Sequence, residues 1–253
     1  MDELCDFSGT YRDMYDSDAD KDKKRRVSVP EKNRWVIRRD GRNNMIKVEG
    51  VSKKYDDEWV LRNVNAEFCA GKIHGIVGMN GSGKTMLFKC ICGFVRPDSG
   101  RVLVNGRQIG KDVDFPEDTG FIIETPGFLP DDTAYQNLKM LADVKRKIGG
   151  EDIKKTLEKV GLDPVSKKPV KKYSLGMRER LGIAQAIMES PKLLVLDEPF
   201  NGLDKKGVAE VYEILKELKG KGTTILLASH NEMDIQTLCD EIYEMELGVL
   251  SKI

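Results

Sequence analysis

Residues Gly78-Met79-Asn80-Gly81-Ser82-Gly83-Lys84-Thr85 match the pattern G-x-x-x-x-G-K-[ST], directly after the apolar run Ile73-His74-Gly75-Ile76-Val77. Few folds can use such a segment. Glycines let consecutive backbone N–H groups turn inward on an anion, and a helix that follows aims its positive end at the same point. The pattern therefore predicts a strand, a phosphate-binding loop and a helix. Gly78, Asn80, Gly81, Ser82, Gly83 and Met86 would surround the phosphates of a nucleotide, Lys84 would reach its β- and γ-phosphates, and Thr85 would ligate Mg²⁺. The bland alternative, a chance glycine-rich turn, fits poorly with the flanking strand and helix.

A second apolar run, Leu193-Leu194-Val195-Leu196, ends in Asp197-Glu198-Pro199. Open α/β sheets bind ligands at the carboxyl ends of their strands, so this run would deliver two carboxylates beside the loop. Asp197 is then a Mg²⁺ ligand, and Glu198 orients and deprotonates a water for in-line attack on the γ-phosphoryl group. Adjacent carboxylates also end ordinary strands, but the loop upstream favours chemistry.

Around these motifs the patterning alternates strand and helix. Ile46 and Val48 alternate with polar residues from Met45 on, and a second run covers 60–68, predicting two strands ahead of the one that enters the loop. Leu87, Phe88 and Ile91 predict a helix over 85–92, stopped by Gly93 and Pro97. A turn at 98–100, a strand at 102–104 and a hairpin at Asn105-Gly106 follow. Over 133–168 the spacing is helical, with Leu138, Leu141 and Val144 on one apolar face and Ile153, Leu157 and Val160 on another. Helices at 174–188 and 205–218 then alternate with wholly apolar strands at 193–196 and 224–228, as in a parallel sheet covered on both faces.

With 253 residues, 40% of them hydrophobic, the chain can bury one sizeable core, or a core and a lobe. Lysine plus arginine equals aspartate plus glutamate at 42 each, so no nucleic-acid partner is expected. No apolar run approaches the roughly 20 residues that span a bilayer, and the acidic start lacks a signal peptide's features, which predicts a cytoplasmic location. Cys5, Cys69, Cys90, Cys92 and Cys239 show no paired metal spacing and read as reduced, mostly packing thiols. Residues 1–43 differ from the rest: seven acidic residues and one arginine up to Asp20, then ten basic against three acidic up to Arg42. That block charge predicts a flexible extension, within which Arg25-Arg26-Val27-Ser28 resembles a basophilic kinase site.

Between the loop and the carboxylates lies Tyr173-Ser174-Leu175-Gly176-Met177-Arg178-Glu179-Arg180. With it, the chain from Met45 to about Ile253 resembles the ATP-binding cassette (ABC) ATPases. Their signature reads L-S-G-G-Q; Ser174 and Gly176 match, while Tyr173, Leu175 and Met177 depart. The resemblance implies an α/β fold: a P-loop NTPase core with a mostly parallel sheet, an N-terminal antiparallel β subdomain and an α-helical subdomain at about 125–188, all within an ATP-binding domain over 44–253. It implies that Ser174 and Gly176 bind the γ-phosphate of ATP held by an opposite protomer, and that Tyr55 stacks on adenine. Asp204, in Asn201-Gly202-Leu203-Asp204, would belong to a loop crossing the dimer interface, and His230 would sense the γ-phosphate.

One departure stands out. In Ile122-Ile123-Glu124-Thr125-Pro126-Gly127-Phe128, Glu124 occupies the place where most of the family has a glutamine that contacts Mg²⁺ or the attacking water. A carboxylate can reach Mg²⁺ through water but donates no hydrogen bond. Glu124-Thr125-Pro126-Gly127, the Tyr173 to Met177 segment and Asn201 to Asp204 together look like the bacitracin-resistance and lantibiotic-immunity exporters. The resemblance implies ATP and Mg²⁺ as cofactors and a second ATP-binding subunit, identical or not, as partner. It also implies a separately encoded membrane-spanning permease at the cytoplasmic face of the membrane, exporting a peptide antibiotic or related compound. Two alternatives stand beside it: a soluble ABC-type ATPase acting in protein assembly, and a nucleotide-binding regulator with feeble hydrolysis, against which Glu198 speaks.

Overall fold

The computed structural model describes residues 44–253; the charged segment 1–43, with Cys5 and the Arg25 to Ser28 run, lies outside them. In chain order come β1 (Asn44–Tyr55), β2 (Glu58–Cys69), β3 (Ile73–Val77), α1 (Lys84–Ile91), β4 (Ser99–Val104), β5 (Arg107–Gln108) and β6 (Thr119–Ile122). Next are α2 (Ala134–Lys145), α3 (Gly150–Lys159), a 3-10 turn (Val170–Lys172) and α4 (Leu175–Ile187). The chain continues through β7 (Leu193–Asp197), α5 (Lys205–Gly220), β8 (Thr224–Ala228), α6 (Glu232–Leu238), β9 (Glu241–Glu246) and β10 (Val249–Lys252).

The strands form two sheets, an antiparallel one in the order β2-β1-β4-β5 and a mixed one in the order β10-β9-β3-β8-β7-β6. In the second sheet every pairing is parallel except β9 with β10. Both faces of β7 are buried, which explains its unrelieved apolar run: Leu193 and Val195 face α1 and the antiparallel sheet, whereas Leu194 and Leu196 face the helices α4 and α5. Leu87, Phe88 and Ile91 of α1 are fully buried between the sheets. Ser174, at the start of the helix read from the sequence, is the N-cap of α4, its side chain taking the Met177 N–H.

Two differences from the sequence reading have local causes. Leu138 is buried as its spacing implies, but Val144, read on the same apolar face, is 79% exposed, and Ala142, one turn from Leu138, is buried in its place. At 3.6 residues per turn, Val144 lies well round the helix from Leu138. The short strand β6 escaped the pattern because Gly120 interrupts it; a Cβ there would lie 1.8 Å from the Ala186 carbonyl, so α4 packs directly on this backbone. The thiols of Cys69, Cys90, Cys92 and Cys239 are free, and burial raises those of Cys90, Cys92 and Cys239 to about 11, about 12 and about 12.

At the far end of β3 from the phosphate loop, His74 is fully buried between the rings of Phe68 and Tyr243, with Nε2 2.9 Å from the Cys69 carbonyl. Its burial lowers its pKa, so it is a packed histidine. Next to it, Glu241 pairs with Lys72 at 2.6 Å and Lys252 at 2.9 Å. Burial alone would raise the Glu241 carboxyl, but the two ammonium groups outweigh it and hold it at about 2. A depressed carboxylate stabilises the fold above its unfolded value and loses that contribution as pH falls through its folded value. Glu241→Gln should therefore lower the urea midpoint at neutral pH, and the gap from wild type should close between about pH 4.5 and about pH 2. A gap that does not change with pH would remove Glu241 as the source.

Candidate functional site

The loop from Gly78 to Thr85 leaves β3 under tight contact. Gly78 has φ +153° and a Cβ there would lie 2.3 Å from the Met245 carbonyl of β9, so only glycine lets the chain turn at this point. Gly83 precedes α1 without a side-chain cap, which leaves the first N–H groups of the helix open. The Ser82 hydroxyl is buried without a hydrogen-bond partner. Lys84 is almost fully buried and folds back on the loop, donating to the Gly78 carbonyl at 2.7 Å and the Met79 carbonyl at 3.1 Å.

Three parallel strands bring the remaining groups together. Asp197 ends β7 opposite Ala228 of β8, and the Glu198 N–H donates to the Ala228 carbonyl at 2.9 Å. Thr85 donates its hydroxyl to Asp197 at 2.5 Å. Burial raises the Asp197 carboxyl, the Glu198 charge adds to this, and the Thr85 hydrogen bond opposes it. Glu198 adopts φ +52°, a left-handed conformation costly for a residue with a Cβ. Its Oε2 lies 2.7 Å from His230 Nδ1, its Oε1 is buried with no hydrogen-bond partner, and Lys84 Nζ lies 4.0 Å away.

A cavity of about 590 Å³ opens over this cluster and is lined by Asn80, Gly81, Gly83, Lys84, Thr85, Met86, Glu124, Asp197 and Glu198. Glu124, also left-handed with φ +60°, pairs with Lys89 at 2.5 Å. Six further lining residues were not among the sequence-predicted site residues: Val60, Lys89, Thr125, Leu175, Glu179 and Asn201. Lys89 stands one turn beyond Thr85 and Glu179 one turn beyond Leu175, a spacing that could have found them. Burial raises the Glu179 carboxyl.

Other candidates stand apart from this cavity. Tyr55 is 61% exposed at the end of β1, against a turn in which Asp56 and Asp57 are left-handed, and it does not line the cavity. Ser174 and Gly176 also lie outside the lining; Gly176 meets the Gly202 carbonyl, 2.9 Å from where its Cβ would stand. Asp204 caps α5 by accepting the Gly207 N–H at 2.8 Å.

The donor set suits a hard divalent cation that retains waters and takes oxygens from phosphate. One hydroxyl and one carboxylate converge, oxygen donors of the kind such an ion takes. Among the described residues no group of three or more His, Cys, Asp and Glu side chains forms a cage of its own.

A second concavity, of about 550 Å³, lies beyond the end of α1 and is lined by Phe94, Phe115, Phe121, Lys145 and Lys147. Phe94 sits edge-on to Phe121 at 4.9 Å and tilted to Phe115 at 6.0 Å, yet all three rings are partly open to solvent. The exposed Val144 borders the adjoining hollow beside Phe121.

Residues 61–201 match the family model described as ABC transporter. The chain is 44% identical over 206 residues to YybJ of Bacillus subtilis (strain 168), an uncharacterized ABC transporter ATP-binding protein, covering 81% of this chain and 94% of that one. It is 39% identical over 208 residues to the bacitracin transport ATP-binding protein BcrA of Enterococcus faecalis, covering 81% and 68%. Among solved structures, an ATP-binding subunit of an ABC transporter superposes with a TM-score of 0.74 at 26% identity, covering 83% of this chain and 89% of that one.

The Gly78 geometry sets a test of the loop. Gly78→Ala should leave the protein folded, at a cost of about 1–3 kcal/mol for the forced contact, while weakening the titration of a fluorescent ATP analogue at least tenfold. Unchanged affinity would mean that the nucleotide does not sit on this loop.

Proposed function

This chain belongs to the ABC transporter family as an ATP-binding, ATP-hydrolysing subunit, and on that premise we propose that two such subunits close around ATP to drive a separately encoded membrane-spanning permease. The convergence of Lys84, Thr85, Asp197, Glu198 and His230 at the carboxyl ends of three adjacent strands carries this reading. Lys84 exchanges two loop carbonyls for the β- and γ-phosphates, and the open N–H groups of the loop and α1 take the remaining phosphate oxygens. Thr85 and Asp197 would hold Mg²⁺, with Glu124 on the same cavity wall; bound there, the ion would supply positive charge to offset that of the phosphates.

Glu198 takes the proton of the attacking water, its unpartnered Oε1 being the free acceptor, while His230 holds Oε2. Tyr55 supplies an exposed ring for adenine. Ser174 and Gly176, outside their own subunit's cavity, complete the site of the opposite one, and Asp204 lies on the loop between the two. In this reading 44–253 is the ATP-binding domain, and about 125–188 its helical subdomain.

The aromatic groove fits a membrane partner. Three open phenylalanine rings and Val144 offer apolar area, and Lys145 and Lys147 border it with charge. Among the described residues no helix is long and apolar enough to cross a membrane, so transport would need the permease, and the subunit would work at its cytoplasmic face. The similarity to a bacitracin transport protein supports a peptide antibiotic or related compound as the exported substrate.

Glu198→Gln should lower ATP turnover about 100-fold or more while leaving ATP affinity in place. Normal turnover would remove Glu198 as the base. Phe121→Asp should leave nucleotide binding intact but abolish co-purification with the permease and its stimulation of ATPase activity. Retained co-purification would take this groove out of the docking surface.

A further inference from the structure

Behind His230 lies a buried carboxylate that the proposed chemistry does not use. Asp234, in the first turn of α6, is 7% exposed, and among the described residues no lysine or arginine pairs with it. A buried carboxylate without a cation is costly unless hydrogen bonds satisfy it. Asp234 is held by three neutral donors: the Tyr212 hydroxyl at 2.5 Å, the Asn231 amide at 3.1 Å and the Ser229 hydroxyl at 3.3 Å.

Two of those donors belong to the residues on either side of His230. Ser229 and Asn231 are also tied to each other, since the Asn231 N–H donates to the Ser229 hydroxyl at 3.1 Å. Asn231 in turn caps α6, accepting the Met233 N–H at 3.1 Å. Asp234 therefore fixes the backbone on both sides of a histidine whose own side chain is 58% exposed and otherwise free to swing.

The third donor leads back to the other half of the reacting pair. Tyr212, on α5, packs edge-on against Phe200, with ring centroids 5.2 Å apart and planes at 73°. Phe200 is two residues beyond Glu198, whose backbone is left-handed and whose Oε2 holds His230. The contacts close on themselves: Glu198, Phe200, Tyr212, Asp234, the flanks of His230, and His230 back to Glu198. Tyr212 and Asp234 are 22 positions apart on different helices, so only the fold creates this circuit.

We propose that Asp234 and Tyr212 are positioning residues that brace His230 against Glu198, keeping the pair at the separation that proton removal from water requires. The proposal rests on the reading that Glu198 and His230 act on the water and the γ-phosphate. Because proton transfer depends on sub-ångström placement, loosening the brace slows turnover without loosening the nucleotide, whose phosphates are held by a different segment.

The test is steady-state ATPase kinetics on the full chain, with thermal midpoints recorded for each variant. Asp234→Asn should lower kcat at least fivefold with the KM for ATP within twofold of wild type. Tyr212→Phe keeps the ring against Phe200 and loses only the hydroxyl, so it serves even if Asp234→Asn folds poorly; it should lower kcat about threefold in the same manner. In a His230→Ala background neither substitution should reduce kcat further, because a brace without its histidine has nothing left to position. Losses that multiply with that of His230→Ala, or a kcat unaffected by Tyr212→Phe, would overturn the brace while leaving the site reading intact. Glu198→Gln, assayed alongside, separates the two: full turnover in that variant would overturn the site reading and with it the brace.

Discussion

The parallel pairing of β8 between β3 and β7 is the constraint on which the site depends. Register places Ile76 of β3 and Asp197 of β7 on either side of Ala228, so the chain leaves three neighbouring strands at the same level. The phosphate loop follows the first strand, the two carboxylates the second and His230 the third. Hydrogen bonds across the ends hold this level: the Glu198 N–H on the Ala228 carbonyl and the Ser229 N–H on the Ile76 carbonyl. A slip of one residue would invert every side chain on the displaced strand and turn its apolar run out of register with both cores.

The cavity carries more carboxylates than ammonium groups. Asp197, Glu198, Glu124 and Glu179 all line it, against Lys84 and Lys89. Burial raises the carboxyls of both Asp197 and Glu179. Glu124 has found its own partner in Lys89, an ion pair that a glutamine could not form with the same strength. The Glu124 carboxylate thus has a cation within reach on α1, the helix that follows the phosphate loop.

The elements that repeat a local rule were readable from the residues. Gly78 to Thr85 and the β7 run report backbone geometry through spacing, and both occupy the places that their patterns implied. What escaped depended on segments distant in sequence. Phe94 and Phe115 lie in two different connections and Phe121 in β6, and they become one groove only in the folded chain. The contact between Tyr212 and Asp234 needs two helices to meet, and Val144 was misjudged because three apolar residues in a short helix do not define one face. Tyr55 and Ser174 both lie outside the lining of the cavity, and motif order along the chain carries no information on that distance.

The inward fold of Lys84 has a consequence for the timing of order. Its ammonium rests on the carbonyls of Gly78 and Met79, so the loop's own backbone holds the lysine in place. The conformational entropy of this segment is lost when the protein folds and not when it associates. For a phosphate to take this lysine would be an exchange of acceptors on a frame that folding has already ordered, carbonyl dipoles given up for a full anionic charge.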